Sequence, residues 1–307
     1  METVIETRQL TKKFGDRAAV NGVDLTVAAG VAFGFLGPNG AGKTTMIRTL
    51  LGLTQPTSGD VALLGLPQPA RRAEALARVG AIVEEPRFHP HLTGRENLKI
   101  VAAARDRAAE ARIPGALERV GLAQRANDRV KTYSLGMRQR LGIARCLLAD
   151  PALLILDEPM NGLDPAGILE MRRLIRAFVE EDRTVFLSSH LLDEVEKTCD
   201  QVAIVDQGRV VIQGAVGEIA ARGEPTVLVE VGDLSAARDV LGRDARIKHF
   251  EEEGARTFRL TLSDGLGPAA INRALVAAGV EVSRLEPARA TLEETFLSIT
   301  SRLEANE

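Results

Sequence analysis

Val31-Ala32-Phe33-Gly34-Phe35-Leu36, then Gly37-Pro38-Asn39-Gly40-Ala41-Gly42-Lys43-Thr44, then a helical pattern over 45–51: this stretch decides how the chain is read. Six residues, apolar but for Gly34 and halted by Gly-Pro, read as a buried strand, and the run after Thr44 reads as a helix. Between them lies a full G-x-x-x-x-G-K-T. Its glycines let successive backbone N–H groups turn inward around a phosphate, and the following helix N-terminus adds partial positive charge beneath it. Lys43 then reaches the β- and γ-phosphates, and Thr44 offers its hydroxyl to Mg²⁺. An ordinary glycine-rich turn competes poorly, because a chance match in a chain of this length has odds of roughly one in a hundred.

The same strand pattern recurs at Leu153-Leu154-Ile155-Leu156, after Asp150-Pro151, and at Thr184-Val185-Phe186-Leu187. Short apolar runs separated by helical patterns predict buried parallel strands in a three-layer α/β domain. Residues 86–150 differ: helical patterns at 94–104, 116–120 and 137–149, with no strong strand, predict an all-helical insertion. From about Gly223 the pattern becomes βαββαβ, with strands at 227–231, 247–251, 258–262 and 280–285 and helices at 235–241 and 268–278. That order predicts a small ferredoxin-like α+β unit, and an amphipathic helix over 292–303 follows it. Arg222-Gly223-Glu224-Pro225 marks the boundary, so domains are expected at 1–222 and 223–307.

The 307 residues carry 39 Lys+Arg against 42 Asp+Glu, a net charge of −3. That balance excludes a broad basic face for nucleic acid and a polybasic membrane patch. The longest apolar stretch, 27–36, is about half a bilayer span, and the start Met1-Glu2-Thr3-Val4 lacks the basic-then-apolar form of a secretory signal. Cys146 and Cys199 have no second cysteine nearby and read as free, half-buried thiols of a cytoplasmic protein. An excess of Arg over Lys, with abundant Ala, points to a bacterial high-GC coding sequence.

The apolar run at Leu153 ends in Asp157-Glu158. An acid at the end of a buried strand is costly without a partner, and Mg²⁺ is the obvious one for Asp157. Glu158 falls at the carboxyl edge of the strand, where it can take a proton from an attacking water. Upstream stands Tyr133-Ser134-Leu135-Gly136-Met137-Arg138-Gln139-Arg140. On the residues alone, Ser134 is either simply a helix cap or part of a second anion site.

This segment resembles the signature loop of the ATP-binding cassette (ABC) family, Leu-Ser-Gly-Gly-Gln-x-Gln-Arg. Ser134, Gly136, Gln139 and Arg140 match it, while Leu135 and Met137 depart. The resemblance implies a P-loop NTPase fold with a helical subdomain, binding ATP and Mg²⁺. It places Phe14 on the adenine, and Gly37, Pro38, Asn39, Gly40, Ala41, Gly42, Lys43, Thr44 and Thr45 around the nucleotide. Ser134 and Gly136 would close over the γ-phosphate held by a second copy, with Asn161-Gly162-Leu163-Asp164 as the dimer-contacting loop. Lys43, Glu158 and the switch histidine His190 would carry hydrolysis, with Thr44 and Asp157 on the metal. Where the family places Gln beside the metal, this chain has Glu84 in Glu84-Glu85-Pro86. The neighbouring His89 and His91 read as a solvent loop rather than a metal site.

Together with the tail Leu292-Glu293-Glu294-Thr295-Phe296-Leu297, these features are similar to ABC-2-type bacterial exporters of the bacitracin and daunorubicin resistance kind. The resemblance therefore implies ATP hydrolysis by a head-to-tail homodimer that powers export through a separate permease, on the inner face of the membrane. A non-transport ABC protein is disfavoured by the single cassette, the absence of heptads and the net charge of −3. A regulatory module without turnover is disfavoured by the intact Lys43, Asp157, Glu158 and His190.

Overall fold

A computed structural model describes residues 2–105, 107–220, 226–254, 256–263, 267–288, 292 and 295. The chain divides into two compact units, Met1–Gly214 and Ala215–Glu307. The larger opens with an antiparallel hairpin of β1 (Thr3–Phe14) and β2 (Arg17–Ala28), closed at Gly15-Asp16 with Gly15 at φ +59°. Then come the fully buried β3 (Ala32–Leu36) and α1 (Lys43–Leu50). β4 (Ser58–Leu63) returns antiparallel to β1, and the short β5 (Leu66–Pro67) completes a sheet ordered β2-β1-β4-β5. α2 (Arg72–Ala77) and β6 (Val79–Ile82) lead into the insertion.

Between β6 and the next strand the insertion holds α3 (Gly94–Ala103), α4 (Arg107–Ala111), α5 (Ile113–Arg119) and α6 (Leu135–Leu147). Thr93 starts α3 with a capping box: its hydroxyl accepts from Glu96 N–H, and Glu96 accepts from Thr93 N–H. Buried Asn97 donates to the carbonyls of His89 and Thr93 and accepts from His89 N–H, which pins the 84–92 loop to α3. Lys131 N–H and Val130 N–H bond to Pro90 O and Leu92 O from the other side.

After the insertion come β7 (Leu153–Leu156), α7 (Pro165–Glu180), β8 (Thr184–Ser189), α8 (Leu192–Thr198), β9 (Gln201–Asp206) and β10 (Arg209–Ala215). The central sheet is ordered β10-β9-β3-β8-β7-β6 and runs parallel from β9 to β6. Every residue of β3, β7 and β8 is buried, as continuous apolar strands covered on both faces must be. Phe186 joins them, its ring 5.7 Å from that of Phe33 and 5.6 Å from that of Phe35. Burying each such ring contributes about 1.5–3 kcal/mol.

The smaller unit begins at α9 (Val216–Ala220) and continues through β11 (Thr226–Val231), α10 (Leu234–Arg243), β12 (Ile247–Glu252), β13 (Thr257–Leu262), α11 (Pro268–Ala277) and β14 (Val282–Ala288). Its sheet, β12-β13-β11-β14, is antiparallel throughout, the ferredoxin-like arrangement. Its apolar core includes Val229, Phe258, Leu260, Ile271 and Leu275. The division falls at Gly214–Ala215, ahead of residues 222–225, which the sequence marks as the boundary and which lie outside the described residues. Val216 and Ile219 of α9 are buried, so this stretch is packed helix rather than linker. The helix expected over 292–303 lies outside the described residues apart from Leu292 and Thr295, which are helical.

Both cysteines are buried and unpaired. Burial pushes the Cys146 thiol up to about 11 and also raises that of Cys199. Since the thiolate is the reactive form, the native protein is expected to give no reaction with Ellman's reagent at mildly alkaline pH. Both thiols should react after denaturation. Fast modification of either in the folded state would contradict this packing.

Candidate functional site

Four loops converge at the carboxyl edge of the parallel strands. They carry Glu84 after β6, the phosphate loop after β3, Asp157 and Glu158 after β7, and His190 after β8. In-register pairing of Leu36 with Ser189, and of Leu156 with Leu187 and Ile82, fixes their relative heights. Ligands bind at this edge in parallel α/β sheets, because helix N-termini and free loop backbone meet there.

The phosphate loop is shaped by close backbone approach. Gly42, at φ +103°, caps α1, and a Cβ there would sit 2.0 Å from Ala19 O of β2; one on Gly37 would sit 2.3 Å from Val205 O. Only glycine fits at either position. The buried Lys43 donates from Nζ to Gly37 O at 2.7 Å and Pro38 O at 3.2 Å, and forms an ion pair with Glu158 Oε1 at 3.2 Å. A cleft of about 380 Å³ opens here, lined by Phe14, Arg17, Ala19, Asn39, Gly40, Gly42, Lys43, Thr44, Thr45 and Glu158. Phe14 is 56% exposed at the hairpin tip, with Lys12 Nζ 4.9 Å from its ring centroid, so the ring can stack on a planar base. Pro38 and Ala41 lie behind the loop, in an adjoining cleft with Gln207 and Gly208.

Behind Lys43, the Ser188 hydroxyl donates to Asp157 Oδ1 at 2.6 Å and accepts from Glu158 N–H at 2.9 Å. Asp157 is buried, and Glu158 sits at φ +48°, a left-handed conformation that costs a non-glycine residue about 1–3 kcal/mol. Its carboxylate spans two partners: Lys43 on Oε1, and His190 Nδ1 2.9 Å from Oε2. Lys43, Asp157, Glu158 and His190, drawn from three separated segments, thus form one connected group.

Three expected site residues lie apart from it. Ser134 caps α6, its exposed hydroxyl accepting from Met137 N–H at 3.2 Å, and neither Ser134 nor Gly136 lines the cleft. Gly136 instead meets Leu163 of the 161–164 loop. Glu84, at φ +59°, has its carboxylate on Arg48 of α1 at 2.5 Å and is likewise outside the cleft lining. The structure also adds residues that the sequence reading did not single out. Arg17 donates to Gly40 O at 3.2 Å, and the Gly15-Asp16 hairpin turn beside it was the available signal. Ser188 had no signal, since its role depends on which strand neighbours β8.

Replacing Gly42 by Ala should lower nucleotide affinity tenfold to a hundredfold, roughly what 1–3 kcal/mol of backbone strain is worth. Titration with a fluorescent ATP analogue would test this, and wild-type affinity would contradict the loop geometry.

Comparison with known proteins agrees with this geometry. Residues 20–161 match the ABC transporter family. The chain is 39% identical over 300 residues to the bacitracin transport ATP-binding protein BcrA of Bacillus licheniformis, covering 97% of this chain and 98% of the relative. It is 36% identical over 303 residues to the Nod factor export ATP-binding protein I of Burkholderia lata, covering 97% of each. Among solved structures, an ATP-binding subunit of an ABC transporter superposes with TM-score 0.63 at 29% identity, over 70% of this chain and 91% of that one. With relatives this similar along nearly its whole length, and with the phosphate loop, paired acids and strand-end histidine in one cluster, the chain belongs to the ABC transporter ATP-binding family.

Proposed function

We propose that this protein hydrolyses ATP to drive export through a separate membrane permease, acting as a dimer of two copies. The observation that carries the hydrolytic part is the placement of Glu158. Its carboxylate lies at the mouth of the phosphate loop, between Lys43 Nζ and His190 Nδ1. In this reading Lys43 leaves the loop carbonyls to neutralise the phosphates, Glu158 accepts a proton from the attacking water, and His190 orients the carboxylate. Phe14 stacks on the adenine, and Gly37 to Thr45 wrap the phosphates.

The donor set also fits Mg²⁺. Thr44 offers a hydroxyl at the end of the loop and Asp157 a buried carboxylate, both hard oxygens. Among the described residues no cluster of three or more His, Cys, Asp or Glu forms a protein-only metal cage. That suits an ion held by one or two protein oxygens and completed by phosphates. Mg²⁺ would supply charge neutralisation on the phosphate oxygens. Glu84 keeps its place in this scheme as the metal-side residue of the 84–92 loop, which it would reach only by giving up Arg48.

Dimer formation is supported by the place of Ser134, whose helix start lies outside the cleft of its own chain and would serve as an anion site for another copy. A head-to-tail partner would bring that site over the γ-phosphate. Transport by export is supported by the relatives that carry bacitracin transport and Nod factor export in their names. No described helix is long and apolar enough to cross a membrane, so the proposed location is peripheral, on the inner face through the permease. The 84–92 loop and the helical insertion would dock there. The larger unit is the nucleotide-binding domain, and the smaller one an accessory domain.

Glu158→Gln should retain ATP binding while turnover falls by about 10²–10⁴-fold, the usual cost of losing a positioned base. Near wild-type phosphate release would remove Glu158 from the mechanism. For Glu84, the expected result is that Glu84→Gln shifts the Mg²⁺ titration of ATPase activity. An unchanged titration, with Glu85→Gln shifted instead, would move the metal-proximal position by one residue. The shared site has its own test in a mixture of Lys43→Ala and Ser134→Arg, each inactive alone. A head-to-tail heterodimer gathers both defects in one site and leaves the other intact, so mixing should restore ATPase activity. Cross-linked heterodimers without recovered activity would count against a shared site.

A further inference from the structure

We propose that Ser188 is the positioning residue that holds the paired acids in their working geometry, an inference that rests on Glu158 being the base. Ser188 is fully buried on β8, next to the end of β7. Its hydroxyl has one proton to give and an oxygen that can accept, and an Asp157 carboxyl oxygen lies beside it. The proton therefore goes to Asp157 Oδ1 at 2.6 Å, and a lone pair of the same oxygen takes Glu158 N–H at 2.9 Å. The two bonds lock the hydroxyl rotor. They also tie the backbone of the base to the side chain of the acid before it.

This tie matters because Glu158 is held at φ +48°. A left-handed non-glycine residue persists only where its surroundings over-determine it. The peptide N–H of Glu158 points into the protein, and Ser188 is the partner that receives it. Without that acceptor the strained turn relaxes, and the carboxylate leaves the line between Lys43 Nζ and His190 Nδ1. The adjacent Ser189 performs a separate task, its hydroxyl accepting Leu191 N–H at the entry to α8. The two serines are therefore not interchangeable.

The test compares Ser188→Ala, which removes both bonds, with Ser188→Cys, which fills the site with a slightly larger side chain that bonds weakly. ATPase kinetics should show kcat reduced about 10- to 100-fold in both, the scale of an ångström's misplacement of a catalytic group. KM for ATP and the affinity for a fluorescent ATP analogue without divalent cation should stay at wild-type values, since the phosphate loop and Phe14 are untouched. Added to Glu158→Gln, Ser188→Ala should lower the residual single-turnover rate no further, because its effect passes through Glu158. Should Ser188→Ala fold poorly by thermal melting, Ser188→Cys carries the measurement. Wild-type kcat in both Ser188 variants, with Glu158→Gln inactive, overturns this proposal and leaves the base assignment standing. An active Glu158→Gln overturns the base assignment and this proposal with it. A kcat loss matched by an equal loss of cation-free nucleotide binding makes Ser188 a merely structural residue and likewise overturns it.

Discussion

A lysine ammonium with 6% of its side chain exposed is the constraint around which the site is built. Lys43 cannot be left unpaired there, because an uncompensated charge out of water costs several kcal/mol. The phosphate loop meets part of the need with the carbonyls of Gly37 and Pro38. Glu158 meets the rest, and in doing so ties the loop after β3 to the end of β7. The same carboxylate touches His190, so the tie extends to β8. These three strands are neighbours in the sheet, and a slip of one residue in any pairing would break the chain of contacts. Close packing of these buried strands on both faces prevents such a slip, which is how the core packing serves the chemistry.

Strain collects at the same edge. Glu84 and Glu158, which follow β6 and β7 respectively, both have positive φ. In each case the chain turns sharply out of its strand, but only Glu158 presents its carboxylate to the site, while Glu84 turns its own to Arg48. Around Glu158 the turn is held by Asp157 N–H on Ile82 O and by Glu158 N–H on Ser188. Glu84 has a softer restraint, a partly exposed ion pair with Arg48, of a kind worth no more than about 1 kcal/mol. The two acids therefore differ in freedom: one is over-determined, and the other is free to exchange partners.

The 84–92 loop is itself anchored at its far end. Asn97 and the backbone of 130–131 hold residues 89–92 against the insertion. At its near end Glu84 is held by Arg48 of α1.

Much of this was legible in the sequence because local chemistry decides it. Continuous apolar runs announce buried parallel strands, and β3, β7 and β8 stand where those runs are. The glycine spacing of residues 37–44 can serve few purposes other than wrapping a phosphate, and the βαββαβ order of the smaller unit follows from alternating patterns. The antiparallel sheet of β1, β2, β4 and β5 was not read, although β1 and β2 are the longest strands. The alternation Val23-Asp24-Leu25-Thr26-Val27 in β2 was the available signal, and register shifts interrupt such a pattern elsewhere along the pair. What only the tertiary structure decided are the relations between segments. Ser134 stands outside its own chain's cleft, Glu84 pairs with Arg48, and Ser188 bridges Asp157 and Glu158. Periodicity and motif spacing report what each segment does to its own backbone. Which side chains meet across strands depends on sheet order and register, and those are set by packing the whole core at once.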